Sequence, residues 1–267
     1  MRLGIIGAGR IGEAMISGLL KAGFIKPSDV IASDINEERL KRLSSAYGIE
    51  CVKDNAEVVR RCEVVVLSVK PKDVRKVLEE IREGLTADHL LISVAAGIAT
   101  SYIARILDKQ VPIVRAMPNV AVFVREGMTA ITPGPWAEER HVKLAEELFA
   151  SVGKVVRVPE DFFDAITALS GSGPAYASLI IEAMTDAGIR VGLPRETAAV
   201  LAAQSVLGAA KMLLETGEHP AKLREMVTTP AGVTIEGIVE LEEGKLRATI
   251  IRAITRATQR SKELLNQ

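Results

Sequence analysis

Short apolar runs alternate with amphipathic stretches through residues 2–158. Six runs rich in aliphatic and β-branched residues each precede a turn or a helical pattern; they are LGIIG, VIASD, IECV, EVVVLSV, HLLISVAA and PIVRAM. Residues 36–47, 73–83 and 138–152 carry apolar positions at three- and four-residue spacing, which predicts helices. The strand at 63–69 is apolar almost without alternation, as expected where helices cover both faces of a sheet. The pattern predicts an α/β fold with a parallel sheet.

The pattern changes after Pro159. Strand-like runs end there, and alanine-rich helical sequence continues with interruptions at 171–174, 192–194 and 229–232. The stretch 197–214 is apolar over more than one face, which a lone exposed helix does not tolerate. We therefore expect these helices to be buried against a second subunit, in a homodimer or a higher homo-oligomer. The alternative is a self-contained helical bundle.

Composition narrows the class of partner. The 34 basic residues balance the 34 acidic ones, and aromatic residues make up only 3% of the chain. A broad phosphate-neutralising face or a row of base-stacking rings is therefore not expected, which argues against nucleic acid as a partner. Two cysteines and three histidines make a disulfide framework or a structural metal site unexpected. No uninterrupted apolar run reaches membrane-span length and no export signal begins the sequence, so we expect a cytoplasmic protein.

A glycine-rich motif follows the first predicted strand and opens a helical pattern. The GxGxxG motif consists of Gly7, Ala8, Gly9, Arg10, Ile11 and Gly12. In a βαβ unit, the first glycine permits a tight turn, the second lets the backbone approach a pyrophosphate, and the third allows close packing of helix on strand. The alternative is that these glycines merely close a turn. The motif in this context predicts an N-terminal Rossmann-type dinucleotide-binding domain over residues 1–159, followed by an all-helical C-terminal dimerisation domain over residues 160–267.

Asp34 ends the second predicted strand, where a dinucleotide site places the group that meets the adenosine ribose. A carboxylate there accepts hydrogen bonds from the ribose hydroxyls. It also repels a 2′-phosphate, by about 4 kcal/mol for a unit charge pair at 4 Å and an effective dielectric of 20 before counter-ions reduce it. NADH should therefore be slightly favoured over NADPH. Arg39 lies just beyond and could reach a 2′-phosphate, which would weaken this preference.

Five further segments carry a resemblance to a known family. They are Val69-Lys70-Pro71, Val94-Ala95-Ala96-Gly97, Met117-Pro118-Asn119, the run ALSGSGPAY at 168–176 and the run VTTPAGVTI at 227–235. In this order, and together with the glycine motif, they closely resemble the pyrroline-5-carboxylate reductases over essentially the whole chain. The resemblance implies that NAD(P)H gives a hydride to the C=N bond of 1-pyrroline-5-carboxylate, forming L-proline in the last step of proline biosynthesis. It also implies a homodimer with interlocked C-terminal helices.

The resemblance assigns site residues by position. The implied cofactor contacts are Ile6, Gly7, Ala8, Gly9, Arg10, Ile11, Gly12, Asp34, Asn55, Ser68, Lys70, Pro71, Val94, Ala95 and Ala96. The implied substrate contacts are Thr229, Gly232, Val233 and Thr234.

Three of these cofactor residues also have simpler interpretations. Lys70 follows a buried strand at its carboxyl end, where its ammonium can meet a cofactor oxygen, but it could be an ordinary solvated lysine. Pro71 fixes the backbone and suits a plain turn as well as a wall beside the nicotinamide. Asn55 opens a helical stretch and could simply cap it.

The loop at 229–232 runs into a helix that begins near Val233, so its backbone amides are a candidate site for the substrate's carboxylate. Thr234 then lies in the first turn, where its hydroxyl can hydrogen-bond the ring nitrogen and orient the imine. The alternative is that Thr228 or Thr229 caps the helix and Thr234 faces solvent.

The chain departs from the family's usual SPGG at this loop and at the ribose position. Thr229 replaces serine and keeps the hydroxyl, while Ala231 replaces the first glycine and requires an ordinary negative φ unless the loop tolerates strain. Asp34 stands where many relatives carry an uncharged residue.

No histidine, cysteine or lysine stands out as a proton donor, because His89, His141 and His219 have no triad-like companion in the sequence. A protonated cyclic imine is already electrophilic, so positioning and exclusion of water suffice. The SGSG segment could let two helices approach around a planar ligand, or it could be a plain helix break.

Two other functions remain open at this point. One is a 3-hydroxyacid dehydrogenase, but the helix after Pro174 lacks the lysine that such enzymes require there. The other is a non-catalytic dinucleotide sensor, which could dispense with an anion-binding loop.

Overall fold

The computed structural model describes residues 1–265, so Asn266 and Gln267, which end the second predicted domain, lie outside the described residues. An eight-stranded sheet has the order β3-β2-β1-β4-β5-β6-β7-β8. The strands are β1 (Leu3–Ile6), β2 (Val30–Ser33), β3 (Glu50–Val52), β4 (Val64–Leu67), β5 (Leu90–Ser93), β6 (Ile113–Pro118), β7 (Gly127–Pro133) and β8 (Gly153–Arg157). The first six strands are parallel, as the sequence predicts.

Among residues 1–265, seven α-helices belong to the first part of the chain and five to the rest. The first seven are α1 (Arg10–Lys21), α2 (Glu37–Tyr47), α3 (Asn55–Arg61), α4 (Val74–Ile81), α5 (Thr100–Leu107), α6 (Glu139–Ala150) and α7 (Phe163–Ile166). The others are α8 (Gly173–Arg190), α9 (Arg195–Thr216), α10 (Pro220–Met226), α11 (Val233–Glu243) and α12 (Leu246–Leu265). The α/β class and the helical C-terminal part are confirmed.

Alternate side chains of the central strands enter two separate cores. Leu3 and Ile5 of β1 lie in the core that includes Met15 of α1 and Phe149 of α6. Ile6 of the same strand lies in the opposite core, which also contains buried residues of α3, α4 and α5. The strands are therefore apolar on both faces because helices cover both, which explains their lack of hydrophobic alternation.

The last two strands were not predicted. β7 pairs with β6 in the antiparallel direction, and β8 pairs with β7 in parallel, so the sheet is mixed at this end. β7 reads GMTAITP and carries few of the β-branched aliphatic residues that mark the inner strands. In β8 the residues are only partly buried or exposed, which leaves a weak hydrophobic signal.

Local capping signals set the bounds of the helices that flank β2 and β3. The side chain of Asn36 accepts a hydrogen bond from the Arg39 amide at the start of α2. This helix ends at Gly48, whose φ of 67° places it in the left-handed region. Asp54 caps α3 by accepting from the Ala56 amide.

The described chain forms two compact units, and the first is built from two separate segments. It contains residues 1–172 and the C-terminal segment from Ala257 onward, whereas the second contains Gly173–Arg256. Within the first unit, the buried Ser261 hydroxyl donates to Asp164 at 2.6 Å. The predicted domain boundary after residue 159 stays a prediction.

A partly buried ion pair also links distant segments of the first unit. Arg115 of β6 is 6% exposed and donates to Glu160 at 3.0 Å, while its guanidinium lies over the ring of Phe163. The Glu160 carboxylate also accepts from the amide and the hydroxyl of Thr100, at 2.8 and 2.9 Å. Glu160 therefore accepts a hydrogen bond from a free main-chain amide in the first turn of α5, which lacks a local side-chain cap.

The second unit is helical, with α8 and α9 packed side by side. A Cβ on Gly188 would lie 2.8 Å from the Cβ of Ala198, so the absence of a side chain permits this close approach. Large apolar side chains remain exposed along these helices, including Leu179 at 66% and Leu214 at 75%. Among the described residues, α9 alone has the length and mean hydropathy of a membrane span. The sequence showed no sign of this, because polar residues interrupt the apolar run.

Candidate active site

The carboxyl ends of four parallel strands lie in one row. Gly7 N–H donates to Ser33 O at 2.9 Å, and Ser68 N–H donates to Ile6 O at 2.8 Å, so the main-chain ladder continues past the strands. The residues that follow β2, β1, β4 and β5 in this row are Asp34, Gly7, Ser68 and Val94. Because β1 pairs with β2 on one side and β4 on the other, this row crosses the point where strand order reverses. The fold therefore brings four predicted cofactor residues from separate strands to one edge.

The three glycines of the loop have different surroundings. Gly7 has a φ of 92°, and a Cβ there would meet the main chain of Ser68 at 2.7 Å. A Cβ on Gly12 would lie 2.4 Å from the Gly7 carbonyl oxygen, which explains why only glycine fits between helix and strand. A Cβ on Gly9 would meet no atom within 4 Å. Gly9 also begins α1 without a side-chain cap, so open space adjoins the amides of the first turn. These features fit a pyrophosphate.

Asp34 lies at the end of β2 with both carboxylate oxygens in use. Oδ1 accepts from the Asn36 amide and Oδ2 accepts from the Arg39 guanidinium, each at 2.9 Å. The Asp34 side chain is only 6% exposed, whereas that of Arg39 is 38% exposed. Arg39 therefore offsets the charge on which the expected preference for NADH depends.

Asn55 does not cap α3, contrary to the simpler interpretation, because Asp54 does so. The Asn55 side chain instead accepts from the Ser33 hydroxyl at 2.7 Å and donates to Glu80 at 2.7 Å. These contacts hold its amide beside the end of β2. No sequence motif marks Glu80, although it accepts a hydrogen bond from Asn55.

Lys70 and Pro71 form the connection that leaves β4. Lys70 is exposed, and no side-chain partner occurs for it within residues 1–265. Pro71 begins a 3₁₀ turn, Pro71–Asp73, in which the Asp73 amide donates to the Lys70 carbonyl at 2.9 Å. Both simpler interpretations, a solvated lysine and a proline-initiated turn, describe this geometry, and a cofactor role stays a prediction.

The segment after β5 makes a tight turn at the same edge. The Val94 amide donates to Leu67 O at 3.0 Å, and the Ile98 amide donates to Ala95 O across Ala96 and Gly97. Gly97 has a φ of 76°, which a type II turn requires at this position. Val94 and Ala95 are buried, and Ala96 is half-buried.

The loop before α11 is a strained turn. The Gly232 amide donates to Thr229 O at 3.0 Å, with Pro230 and Ala231 at the centre of the turn. Ala231 has a φ of 53°, so the expected negative φ is wrong and the loop tolerates strain. Proline followed by a residue with positive φ is the pattern of a type II turn.

The threonines of this loop do not cap α11. The Thr228 hydroxyl donates back to Arg224 O at 2.6 Å, and the N-cap of α11 is Gly232, which has no side-chain cap. A Cβ on Gly232 would lie 2.2 Å from the Thr229 hydroxyl oxygen. Gly232 therefore gives space to that hydroxyl while its own amide is occupied. Thr234 lies in the first turn and is exposed, as both interpretations of that residue require.

The SGSG segment forms a helix break of an unusual kind. Residues Thr167–Gly171 form a π-helical turn before α8, a feature often found at functional sites. A Cβ on Gly171 would lie 2.8 Å from the Met117 side chain, whereas Gly173 has open space around it. Gly171 therefore allows a close approach of the π turn to β6, and the expected approach of two helices stays a prediction. Asn119 supports the π turn by donating to Ser170 O at 3.2 Å.

The histidines have structural contacts. His89 bonds Thr86 and the Val59 carbonyl, and His219 accepts from the Ala221 amide. His141 accepts from the Glu138 amide, and burial lowers its pKa. Within residues 1–265, no group of three or more His, Cys, Asp or Glu side chains could hold a metal ion.

Comparisons with known proteins identify the family. Pyrroline-5-carboxylate reductase from Methanosarcina acetivorans is 46% identical over 263 residues, which cover 98% of this chain and 97% of the relative. The chain belongs to the pyrroline-5-carboxylate reductase family. The solved pyrroline-5-carboxylate reductase from Coxiella burnetii has a TM-score of 0.89 and 39% identity, with 98% of each chain covered. That from Plasmodium falciparum, solved with NADP bound, has a TM-score of 0.90 and 28% identity over 99% and 98% of the two chains.

Family profiles match both parts of the chain. The profile for pyrroline-5-carboxylate reductase dimerisation matches residues 160–264, and one described as NADP oxidoreductase, coenzyme F420-dependent, matches residues 2–97. The protein is therefore an NAD(P)H-dependent oxidoreductase that forms a homo-oligomer. The exposed apolar side chains of α8 and α9 fall within the dimerisation match, which accounts for them better than a self-contained bundle does. Family membership also removes the 3-hydroxyacid dehydrogenase and the non-catalytic sensor from consideration.

Proposed function

We propose that this chain reduces the C=N bond of 1-pyrroline-5-carboxylate to give L-proline, using the residues assigned below. The observation that carries the proposal is the 46% identity over 98% of the chain to a pyrroline-5-carboxylate reductase. A bound reduced nicotinamide cofactor supplies the hydride. The chain's own residues then have to bind, orient and shield the reactants.

The row of strand ends is the proposed cofactor site. The open space at Gly9 and the uncapped amides at the start of α1 would receive the pyrophosphate. Asp34 would meet the adenosine ribose, with Asn55 held beside it through Ser33. Ser68, Lys70 and the turn at 94–96 would line the remainder of the dinucleotide.

The start of α11 is the proposed carboxylate site. An α-helix leaves its first amides without main-chain partners, and here the Gly232 amide is already used by Thr229. The donors that remain in the first turn are the amides of Val233, Thr234 and Ile235. We therefore propose that a substrate carboxylate binds the first-turn amides, whereas Gly232 acts by leaving space for the Thr229 hydroxyl. α11 has 11 residues, long enough for its dipole to favour an anion at this end.

We propose that the Thr234 hydroxyl forms a hydrogen bond with the ring nitrogen of the imine and thereby orients the imine. A threonine side chain both donates and accepts, so it can hold the nitrogen before and after reduction. No general acid is required if the imine binds already protonated. The energetic role of the chain is then positioning and exclusion of water.

Replacing Thr234 with alanine tests this assignment. We expect kcat with 1-pyrroline-5-carboxylate to fall by about 10- to 100-fold, the effect of losing a hydrogen bond to a charged group, while cofactor affinity changes less than about threefold. Thr234→Ser should restore most of the turnover because it keeps the hydroxyl. Thr197→Ala is the matched control, since Thr197 is also exposed in the first turn of a helix of the second unit. Turnover of Thr234→Ala equal to that of the control would remove Thr234 from the mechanism.

A broader assay tests the reaction itself. Oxidation of NADH and NADPH is followed with the cyclic imine and with a linear ketimine, and reduction of NAD⁺ and NADP⁺ is followed with simple hydroxyacids. We expect activity with the cyclic imine and formation of proline. Activity confined to the other substrates would contradict the proposed function.

A cytoplasmic location also remains our prediction, and Cys51 and Cys62 are both free thiols.

A further inference from the structure

β6 extends beyond its neighbour β5 at the edge where the cofactor is proposed to bind. β5 ends at Ser93, which pairs with Arg115, whereas β6 continues for three more residues to Pro118. At about 3.3 Å per residue, the end of β6 projects roughly 10 Å past the end of β5. The two strands are parallel, so this projection lies at the carboxyl edge, beside the turn at 94–96. It therefore adjoins the end of the row that is farthest from Asp34.

The π-helical turn packs against this projecting end of β6. A Cβ on Gly171 would lie 2.8 Å from the Met117 side chain, so the turn and the strand are in close contact. At the start of the turn, the Thr167 hydroxyl donates to Phe163 O at 2.7 Å. The buried ring of Phe163 lies under the guanidinium of Arg115, which also belongs to β6. Both ends of the turn are therefore held close to the same strand.

The second half of the turn needs a donor from outside the helix. In an α-helix the Ser170 carbonyl would accept from the amide of residue 174, but Pro174 has no N–H. The Asn119 carboxamide supplies the donor instead, with Nδ2 at 3.2 Å from Ser170 O. Its Oδ1 accepts from the amides of Ala121 and Met128, at 3.2 and 3.3 Å. One buried side chain therefore joins the turn to the end of β6 and to β7.

We propose that Asn119 is a positioning residue for hydride transfer. By holding the main chain of Ser170 and Gly171 against the end of β6, it fixes the surface beside which the nicotinamide and the imine have to meet. This inference rests on the proposed function, because it takes the dinucleotide to run along the row from Asp34 toward β5. Asn119 acts through the turn and does not touch the reacting atoms. A displacement of about 1 Å can cost about 100-fold in rate, so a loosened turn is sufficient to slow the reaction.

Asn119→Asp tests the donor alone. The two side chains have the same shape, so the acceptor for the Ala121 and Met128 amides remains while the donor to Ser170 O is lost. We expect the rate constant of hydride transfer to fall by about 10- to 100-fold. Asn119→Ala loses the donor and the acceptor without adding a charge, and it should be at least as slow.

A single turnover followed by stopped flow measures this rate constant. Enzyme in excess over NADPH is mixed with saturating 1-pyrroline-5-carboxylate, and the loss of NADPH absorbance is recorded. Under these conditions the rate constant does not depend on how much of the protein is folded, and a variant that merely folds less well loses amplitude instead. NADPH with two deuterium atoms at C4 should slow both variants, because hydride transfer is the step that Asn119 is proposed to govern.

His89→Leu is the matched control. The His89 ring also accepts from a main-chain amide, that of Thr86 at 3.1 Å, and donates to a distant carbonyl, Val59 O at 3.1 Å. His89 precedes β5, at the opposite edge of the sheet from the row of strand ends. Its replacement therefore removes similar hydrogen bonds at a distance from the proposed site, and the rate constant should stay within about twofold of that of the unmodified chain.

The outcomes distinguish this inference from the proposed function. An unchanged rate constant in Asn119→Ala, or a fall in Asn119→Asp that Asn119→Ala does not share, overturns the role of Asn119 while imine reduction stands. An equal fall in His89→Leu, or no slowing of the Asn119 variants by deuterium, overturns it as well. Should Asn119→Ala not fold, Asn119→Asp decides. If the unmodified chain does not oxidise NADPH with the imine, the proposed function and this inference fail together.

Discussion

Substitution of Gly9 should affect cofactor binding, whereas substitution of Gly12 in the same loop should affect stability. A Cβ on Gly12 would lie 2.4 Å from the Gly7 carbonyl oxygen, so Gly12→Ala must displace main chain. We expect this variant to lose about 1 to 3 kcal/mol of stability, the usual cost of overpacking. A Cβ on Gly9 would have no neighbour within 4 Å, and the φ of −70° at Gly9 suits alanine.

The expected stability change in Gly9→Ala is close to zero because two small effects oppose each other. Alanine reduces the freedom of the unfolded chain, which stabilises by about 0.4 to 1 kcal/mol. It is a poorer N-cap than glycine, which costs a comparable amount at the start of α1. The added methyl group would nevertheless occupy the space into which a pyrophosphate must come, and weakening even one charge-assisted hydrogen bond there raises the Kd about 10- to 100-fold.

Two measurements on the cofactor-free protein and its complex check this prediction. Thermal unfolding without cofactor should show a midpoint for Gly9→Ala within about 2 °C of the unmodified chain and a lower one for Gly12→Ala, by about 2 to 10 °C. Calorimetric titration with NADPH should show the loss of affinity in Gly9→Ala. The reasoning is refuted if Gly9→Ala binds the dinucleotide as well as the unmodified chain, or if it is destabilised as much as Gly12→Ala.

Two further substitutions test strain and protonation. Ala231→Gly should raise the free energy of unfolding by about 0.5 to 1 kcal/mol. Glycine relieves about 1 to 2 kcal/mol of left-handed strain, and part of that gain is lost because glycine gives the unfolded chain more conformational entropy. Chemical denaturation measures the change, and a decrease would contradict the strained turn. Burial lowers the pKa of His141 below its ordinary 6.5, and the neutral ring accepts from the Glu138 amide. The unfolded chain therefore binds the proton more readily, so this contribution to stability is present above about pH 6.5 and decreases as the pH falls through that value. His141→Gln can keep the hydrogen bond without titrating, and its stability relative to the unmodified chain should increase from pH 7 to pH 5; a pH-independent difference would contradict this assignment.

The inner strands and the glycine loop could be predicted from sequence because several local signals agree there. Strands such as β4 are continuously apolar, and the loop lies between a strand and a helix, where each glycine has a separate steric reason. β7 and β8 could not be predicted, since their pairing depends on a return of the chain beside β6 and their residues are less hydrophobic. Strand pairing of this kind depends on tertiary contacts rather than on local pattern.

The candidate site likewise has features that the sequence predicts and features that depend on tertiary structure. Sequence places Asp34 at the ribose position, but the use of both its oxygens depends on how Arg39 is carried back by α2. Ala231 is a case in which a local rule is overridden, because the Pro230 turn imposes a positive φ on a residue that disfavours it. The glycines of the SGSG segment indicate a helix break, but no sequence signal marks the π-helical form that the break takes.

The packing of the C-terminal part of α12 within the first unit affects the order of folding during synthesis. Ser261 and its neighbours complete a surface that begins with Asp164, almost a hundred positions earlier in the sequence. A ribosome makes that part of α12 after the whole second unit, so the nucleotide-binding half acquires these contacts only once residues 173–256 have been synthesised. A shortened chain that stops after the central sheet would consequently expose the surface against which residues 257–265 pack.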